Sequence, residues 1–155
     1  MNADTPATPL IHVFVYGTLK PGEANHRVCE PYVVAAQPAI APGGLYHLPF
    51  DYPAMTLDDP GQVKGCLLTF TDPCILDILD QFEQHDPAKF LRLMPDRDIT
   101  HHQYQRRWIP LLSAARSPSE SAWAYIMTRY QVTQLNGIAV PSGDWSGGGH
   151  LGYKD

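Results

Sequence analysis

The run Ile11 to Tyr16, IHVFVY, constrains the fold more than any other stretch. Short, β-branched and aromatic, with no alternation of polar and apolar positions, it reads as a central strand buried on both faces. Gly17 ends it, and Thr18 to Gly22 (TLKPG) carries a Pro-Gly pair that marks a loop. A strand stopping at Tyr16-Gly17 leaves backbone N–H groups at its end with no ladder partner, and such groups can hold an anion or a developing oxyanion. Glycine admits a close approach of the backbone, and the Thr18 hydroxyl adds a donor. A plain strand-to-turn transition also fits this tetrapeptide.

Behind the loop, Ala24 to Glu30 suits a short helix. Ala35 to His47 and Gln62 to Phe70 read as strands, separated by a turn-rich Asp51 to Gly61. Gly43 and Gly44 suit a bend or a bulge in the first of these. Phe90 to Met94, Tyr104 to Leu112 and Ala122 to Tyr130 are expected as three further strands, with an antiparallel second half. Several strands around one clear helix, without β-α alternation, predict an α+β fold with a mixed, curved, barrel-like sheet and a few flanking helices. Residues 1–10 are expected as a flexible tail and 11–140 as a single domain. The stretch 141–155 is expected as a glycine-rich tail in which Trp145 can dock onto the body.

That helix begins at Thr71-Asp72-Pro73, with Asp72 as N-cap and Pro73 in the first helical position, and runs to about Gln84. At about 100° per residue, Ile75, Leu76, Ile78, Leu79 and Phe82 share one arc, and Asp77, Asp80, Gln81 and Gln84 lie opposite. Glu83 falls between the directions of Leu79 and Leu76, so the last turn aims a carboxylate along the apolar face. Burial and the carbonyl end of the helix dipole both disfavour its anion, the conditions that make a carboxyl a proton carrier near neutral pH. A glutamate so near a helix end can equally swing to solvent or pair with Lys89 or Arg92.

With 155 residues, 44% apolar and 17% charged, the chain can bury the core of one domain. A net charge of −5 and scattered basic residues exclude nucleic acid as the expected partner. No stretch approaches a membrane span, and Cys29, Cys66 and Cys74 follow no disulfide or metal spacing; a cytoplasmic protein is expected.

In order, VFVYGTLKPG (13–22), GGLYHLPFDYPAM (43–55), VKGCLLTF (63–70), LDQFEQ (79–84), FLR (90–92) and AWAYI (122–126) resemble the γ-glutamylcyclotransferase-like family with its AIG2-like branch. The resemblance implies that Glu83 is the general acid/base and that Tyr16, Gly17, Thr18 and Leu19 bind a γ-glutamyl moiety through backbone amides. It implies a substrate contact at Tyr125, which otherwise reads as core with its hydroxyl at the rim. It also implies one at Phe90, where family members often carry tyrosine. It further implies a small-molecule γ-glutamyl substrate and no metal or organic cofactor. The stretch between Arg92 and Ala122 is longer than the usual hairpin, which fits surface decoration.

His85, His101, His102 and His150 form no metal-ligand pattern. Ser142, Ser146 and the glycine triplet show no nucleophile elbow or phosphate loop. The expected activity is cyclisation of a γ-glutamyl amine or amino acid to 5-oxoproline. The alternatives are a non-catalytic binding protein of the same fold and a cyclotransferase acting on a specialised biosynthetic intermediate.

Overall fold

The structure is a computed structural model, described here for residues 10–49, 52–83, 104–112 and 121–146. Strand β1 (Ile11–Val15) sits at the centre of a five-stranded sheet. It pairs antiparallel with β5 (Gln62–Phe70) and parallel with β7 (Ser121–Ile126). Outside these lie β2 (Val33–Pro42), antiparallel to β5, and β6 (Gln105–Pro110), antiparallel to β7. Pro38 is tolerated because β2 is an edge strand with one side free of the ladder. The sheet curves until its two edges meet at one bridge, Ile40 to Leu112, and is not closed by a ladder.

Alternation along β1 explains why it needs apolar residues on both faces. Val13 and Val15 join Leu68, Phe70, Ile75, Leu79 and Tyr125 in one cluster, whereas Phe14 and Tyr16 join Leu67, Met55, Ile109, Ala124 and Trp145 in another. Helix α1 (Cys74–Phe82) covers the first face, burying Ile75 and Leu79. The helix starts one residue later than read, with Pro73 at its N-cap, and Asp72 just before it accepts a hydrogen bond from the Cys74 N–H at 2.9 Å.

Four segments differ from the sequence reading. Ala35 to His47 is two strands: at Gly43, φ +146°, the chain leaves the large sheet and enters β3 (Gly44–His47) of a second, three-stranded sheet. The turn-rich 51–61 contains β4 (Pro53–Thr56), which pairs with β3; Pro53 is its first residue, where a missing N–H is tolerated. Ala122 to Tyr130 ends its strand at Ile126 and becomes helix α2 (Arg129–Gln134), opened by a Thr128–Gln131 capping box. In place of a helix, residues 24–32 hold two 3₁₀ turns, His26–Val28 and Glu30–Tyr32. The last strand, β8 (Ile138–Ala139), completes the small sheet against β3. The β1–β7 pairing adds a parallel element to the otherwise antiparallel second half.

Beyond β8, Trp145 docks with 1% of its surface exposed, its indole N–H directed to His47 Nδ1 at 2.9 Å. The expected strand Phe90–Met94, most of the long 93–121 stretch and His85, His101, His102 and His150 lie outside the described residues.

Candidate active site

The loop after β1 is tight: Gly17 O accepts from Lys20 N–H at 3.0 Å and Thr18 O from Asn25 N–H at 2.9 Å. A Cβ on Gly17 would overlap the Pro53 ring, so glycine is required there by the packing of β4 against the loop. Among the described residues the N–H groups of Gly17, Thr18 and Leu19 meet no acceptor, although Gly17 and Leu19 are buried. Buried donors left open in this way call for a bound acceptor or water. Lys20 fixes the far side of the loop by donating to the Trp145 carbonyl at 2.5 Å.

The Tyr16 side chain turns inward. Its buried hydroxyl donates to the Tyr125 carbonyl at 2.5 Å and accepts from the Met55 N–H at 3.1 Å, tying β1, β7 and β4 together at the point where the loop begins.

Glu83 closes α1, with its N–H bonded to Leu79 O at 2.9 Å, and keeps helical geometry, φ −79° and ψ 0°. That geometry preserves the direction read from the helical spacing. The residue as a whole is half-buried, but its carboxyl is withdrawn from water, and burial pushes its pKa up to about 8. Among the described residues no cation or hydrogen-bond donor is paired with it. Its charge is felt at three tyrosines. Tyr16, Tyr104 and Tyr125 are all pushed above the ordinary phenol range, by burial first and with Glu83 adding to it. Glu83 and the start of the loop therefore share one buried region.

Two features of this region are not evident in the sequence. Tyr104, immediately before β6, is half-buried, with its hydroxyl withdrawn from water near Glu83, and donates to the Pro53 carbonyl at 2.5 Å. Asp80 falls on the polar side of α1, yet it is not simply solvated. Tyr125 donates to it at 2.6 Å, and Arg106 reaches both its oxygens at 3.0 and 3.1 Å while lying 4.9 Å over the Trp123 ring. Strand β6 supplies Arg106, and helical spacing alone carries no information about a strand so distant in the chain. Phe90 lies outside the described residues. Among the described residues no group of His, Cys, Asp and Glu is arranged to hold a metal, and no helix is long and apolar enough to cross a membrane.

A separate cleft of about 200 Å³ between β3, β8 and the turn before β5 is lined by Tyr46, Asp59 and Gln62, and does not include Glu83.

The fold and this region define a small α+β protein in which a buried carboxyl, without a partner among the described residues, stands near a strand-end loop whose amides meet no acceptor among those residues. Residues 13–147 match the family described as gamma-glutamyl cyclotransferase, AIG2-like, and the chain belongs to that family. Among curated proteins none matches the chain. Solved structures share the fold. YkqA from Bacillus subtilis is 22% identical with a TM-score of 0.61 over 88% of this chain, which spans only 40% of YkqA. An aig2-like protein from Mus musculus is 22% identical, TM-score 0.54, with 88% of each chain covered. An uncharacterized protein from Pyrococcus horikoshii is 12% identical, TM-score 0.55, over 93% of this chain and 94% of its own.

Proposed function

We propose that the protein is a γ-glutamylcyclotransferase that converts a γ-glutamyl amine or amino acid to 5-oxoproline and the free amine, in the cytoplasm and without a metal or organic cofactor. The observation that carries this reading is the buried Glu83 carboxyl, unpaired among the described residues, its pKa pushed up to about 8, beside a loop with three open N–H groups. Family membership supports it.

A γ-glutamyl compound carries its own nucleophile. Its α-amine, once it has lost its extra proton, attacks the γ-carbonyl and closes a five-membered ring; the bond to the leaving amine then breaks. Because the reaction is intramolecular, holding the substrate folded and moving one proton supply most of what is needed. Glu83 takes the proton from the α-amine and returns it to the departing nitrogen. The N–H groups of Gly17, Thr18 and Leu19 receive the substrate's α-carboxylate or the oxyanion of the tetrahedral intermediate. Tyr125 walls the region, and Phe90 completes the substrate contacts carried over from the family.

The test is incubation with γ-glutamyl amino acids, γ-glutamyl amines and glutathione, followed by measurement of 5-oxoproline. At least one substrate is expected to turn over, with Glu83→Gln reducing kcat about 10²-fold to 10⁴-fold. Substrate binding without turnover in the native protein would favour a binding protein of the same fold.

A further inference from the structure

All three tyrosine hydroxyls near Glu83 have their protons directed elsewhere: Tyr16 to the Tyr125 carbonyl, Tyr104 to the Pro53 carbonyl and Tyr125 to Asp80. Two of these acceptors are backbone carbonyls. The third is a side chain, and it stands on the same helix as Glu83, one turn earlier. Asp80 is itself held in place by Arg106, whose guanidinium is backed by the Trp123 ring.

We infer that Asp80 is a positioning residue for Glu83: clamped by Arg106 and Tyr125, it fixes the end of α1 against β6 and β7 and keeps the Tyr125 hydroxyl from donating to the Glu83 carboxyl. The inference deepens the proposed function, on which its catalytic consequence rests. A hydroxyl donating to Glu83 would favour the anion and weaken it as a base. The clamp therefore keeps the carboxyl basic without touching it. The titratable groups facing Glu83 among the described residues are Tyr16 at the end of β1, Tyr104 before β6 and Tyr125 in β7. The nearby cation, Arg106, is engaged by Asp80.

The test reads Glu83 directly, by carbon-13 NMR titration of carboxyl-labelled glutamates with Glu83→Gln as the assignment control. Asp80→Ala is expected to lower the Glu83 midpoint by about one pH unit, tenfold in proton affinity, because Tyr125 becomes free to donate. Asp80→Asn, whose amide oxygen still accepts from Tyr125, is expected to stay close to native. The double variant Asp80→Ala/Tyr125→Phe is expected to bring the midpoint back up. In turnover, the acidic limb of the kcat profile should move to lower pH with the midpoint in Asp80→Ala while KM stays near its native value.

A folded Asp80→Ala protein with an unchanged midpoint would overturn the inference. If Asp80→Ala does not fold, Tyr125→Phe alone decides. An unchanged Glu83 midpoint is expected, and a clear rise would show that Tyr125 already donates to Glu83, which the inference forbids. Because the titration needs no turnover, a shifted midpoint in a protein that cyclises nothing would defeat the proposed reaction and leave the positioning role intact.

Discussion

Asp59 and Glu83 are two carboxylates withdrawn from water with opposite outcomes. The Asp59 side chain is 12% exposed, in the loop between β4 and β5, and takes donors from three directions: Thr56 Oγ1 at 2.5 Å, Tyr46 Oη at 2.8 Å and Arg129 Nε at 3.1 Å. Burial pushes its pKa up, but these three partners outweigh burial and hold it below the ordinary carboxylate range. Glu83 is withdrawn from water more deeply, has no such partner among the described residues and rises to about 8. Desolvation raises both; at Asp59 the donors outweigh it, and at Glu83 deeper burial goes unopposed among the described residues. Asp59 ties the small sheet to α2 through Arg129, and Gly44 must be glycine because a Cβ there would press on the Asp59 carboxylate.

The largest expected effect separates the two by pH. Between the unfolded value near 4.5 and about 8, folded Glu83 retains a proton that the unfolded chain has released. Its stabilising contribution is thus complete below about 4.5 and is lost as pH rises through 8. Glu83→Gln should remove this dependence and be more stable than the native protein at pH 8 by up to about 4 kcal/mol, measured by urea unfolding across pH. A native curve flat from pH 5 to 8 would contradict a buried Glu83 carboxyl with a raised pKa.

Asp59 runs the other way. Its contribution is complete above the unfolded carboxylate pKa and is lost as pH falls from there through the lower folded value. Asp59→Ala should cost about 3 kcal/mol at pH 7, since it strands the fully buried Thr56 hydroxyl and leaves Tyr46 and Arg129 without their acceptor. Turnover per folded molecule should be unchanged; a selective loss of kcat would place Asp59 in the chemistry after all.

Gly17→Ala comes next, at about 2 kcal/mol, because the Pro53 ring occupies the space of the added methyl. Its KM should rise as the loop amides are displaced, and native stability together with native KM would remove Gly17 from the cradle. The smallest change is Thr128→Ala. Thr128 Oγ1 accepts from Gln131 N–H at 3.0 Å and the Gln131 side chain returns a bond at 2.9 Å, so losing the cap should cost about 1 kcal/mol with no effect on the Glu83 titration.

The legible parts of the fold were those whose signal is local. The strand Gln62–Phe70 agrees with its sequence bounds, and Ile11–Val15 and Cys74–Phe82 fall within one or two residues of theirs. The missed elements depend on partners. Pro53–Thr56 is a strand only because β3 lies beside it, and its opening proline argues against a strand when read in isolation. The Thr128–Gln131 capping box was present in the sequence as a T-x-x-Q signal, hidden by the strand-like run of Ala122 to Ile126 before it. At the candidate site the same division holds. Helical spacing aimed Glu83 at the apolar face, and the structure keeps that direction. The same spacing put Asp80 among the solvated residues, yet Arg106 and Tyr125 bind it.

By itself, then, the sequence determined the central strand, its termination at Gly17 and a helical spacing that places position 83 along the apolar face, with burial and a swing to solvent both open. Each follows from residue type, glycine placement and helical period within a few neighbouring residues. Tertiary structure alone decided that Glu83 lies beside Tyr16 and that Asp80 is clamped by Arg106. It also decided that Gly17 is required by Pro53 and that a carboxylate at position 59 meets three donors while one at 83 meets none among the described residues. Those outcomes depend on which donors residues far apart in the chain bring together, and local periodicity carries no record of that.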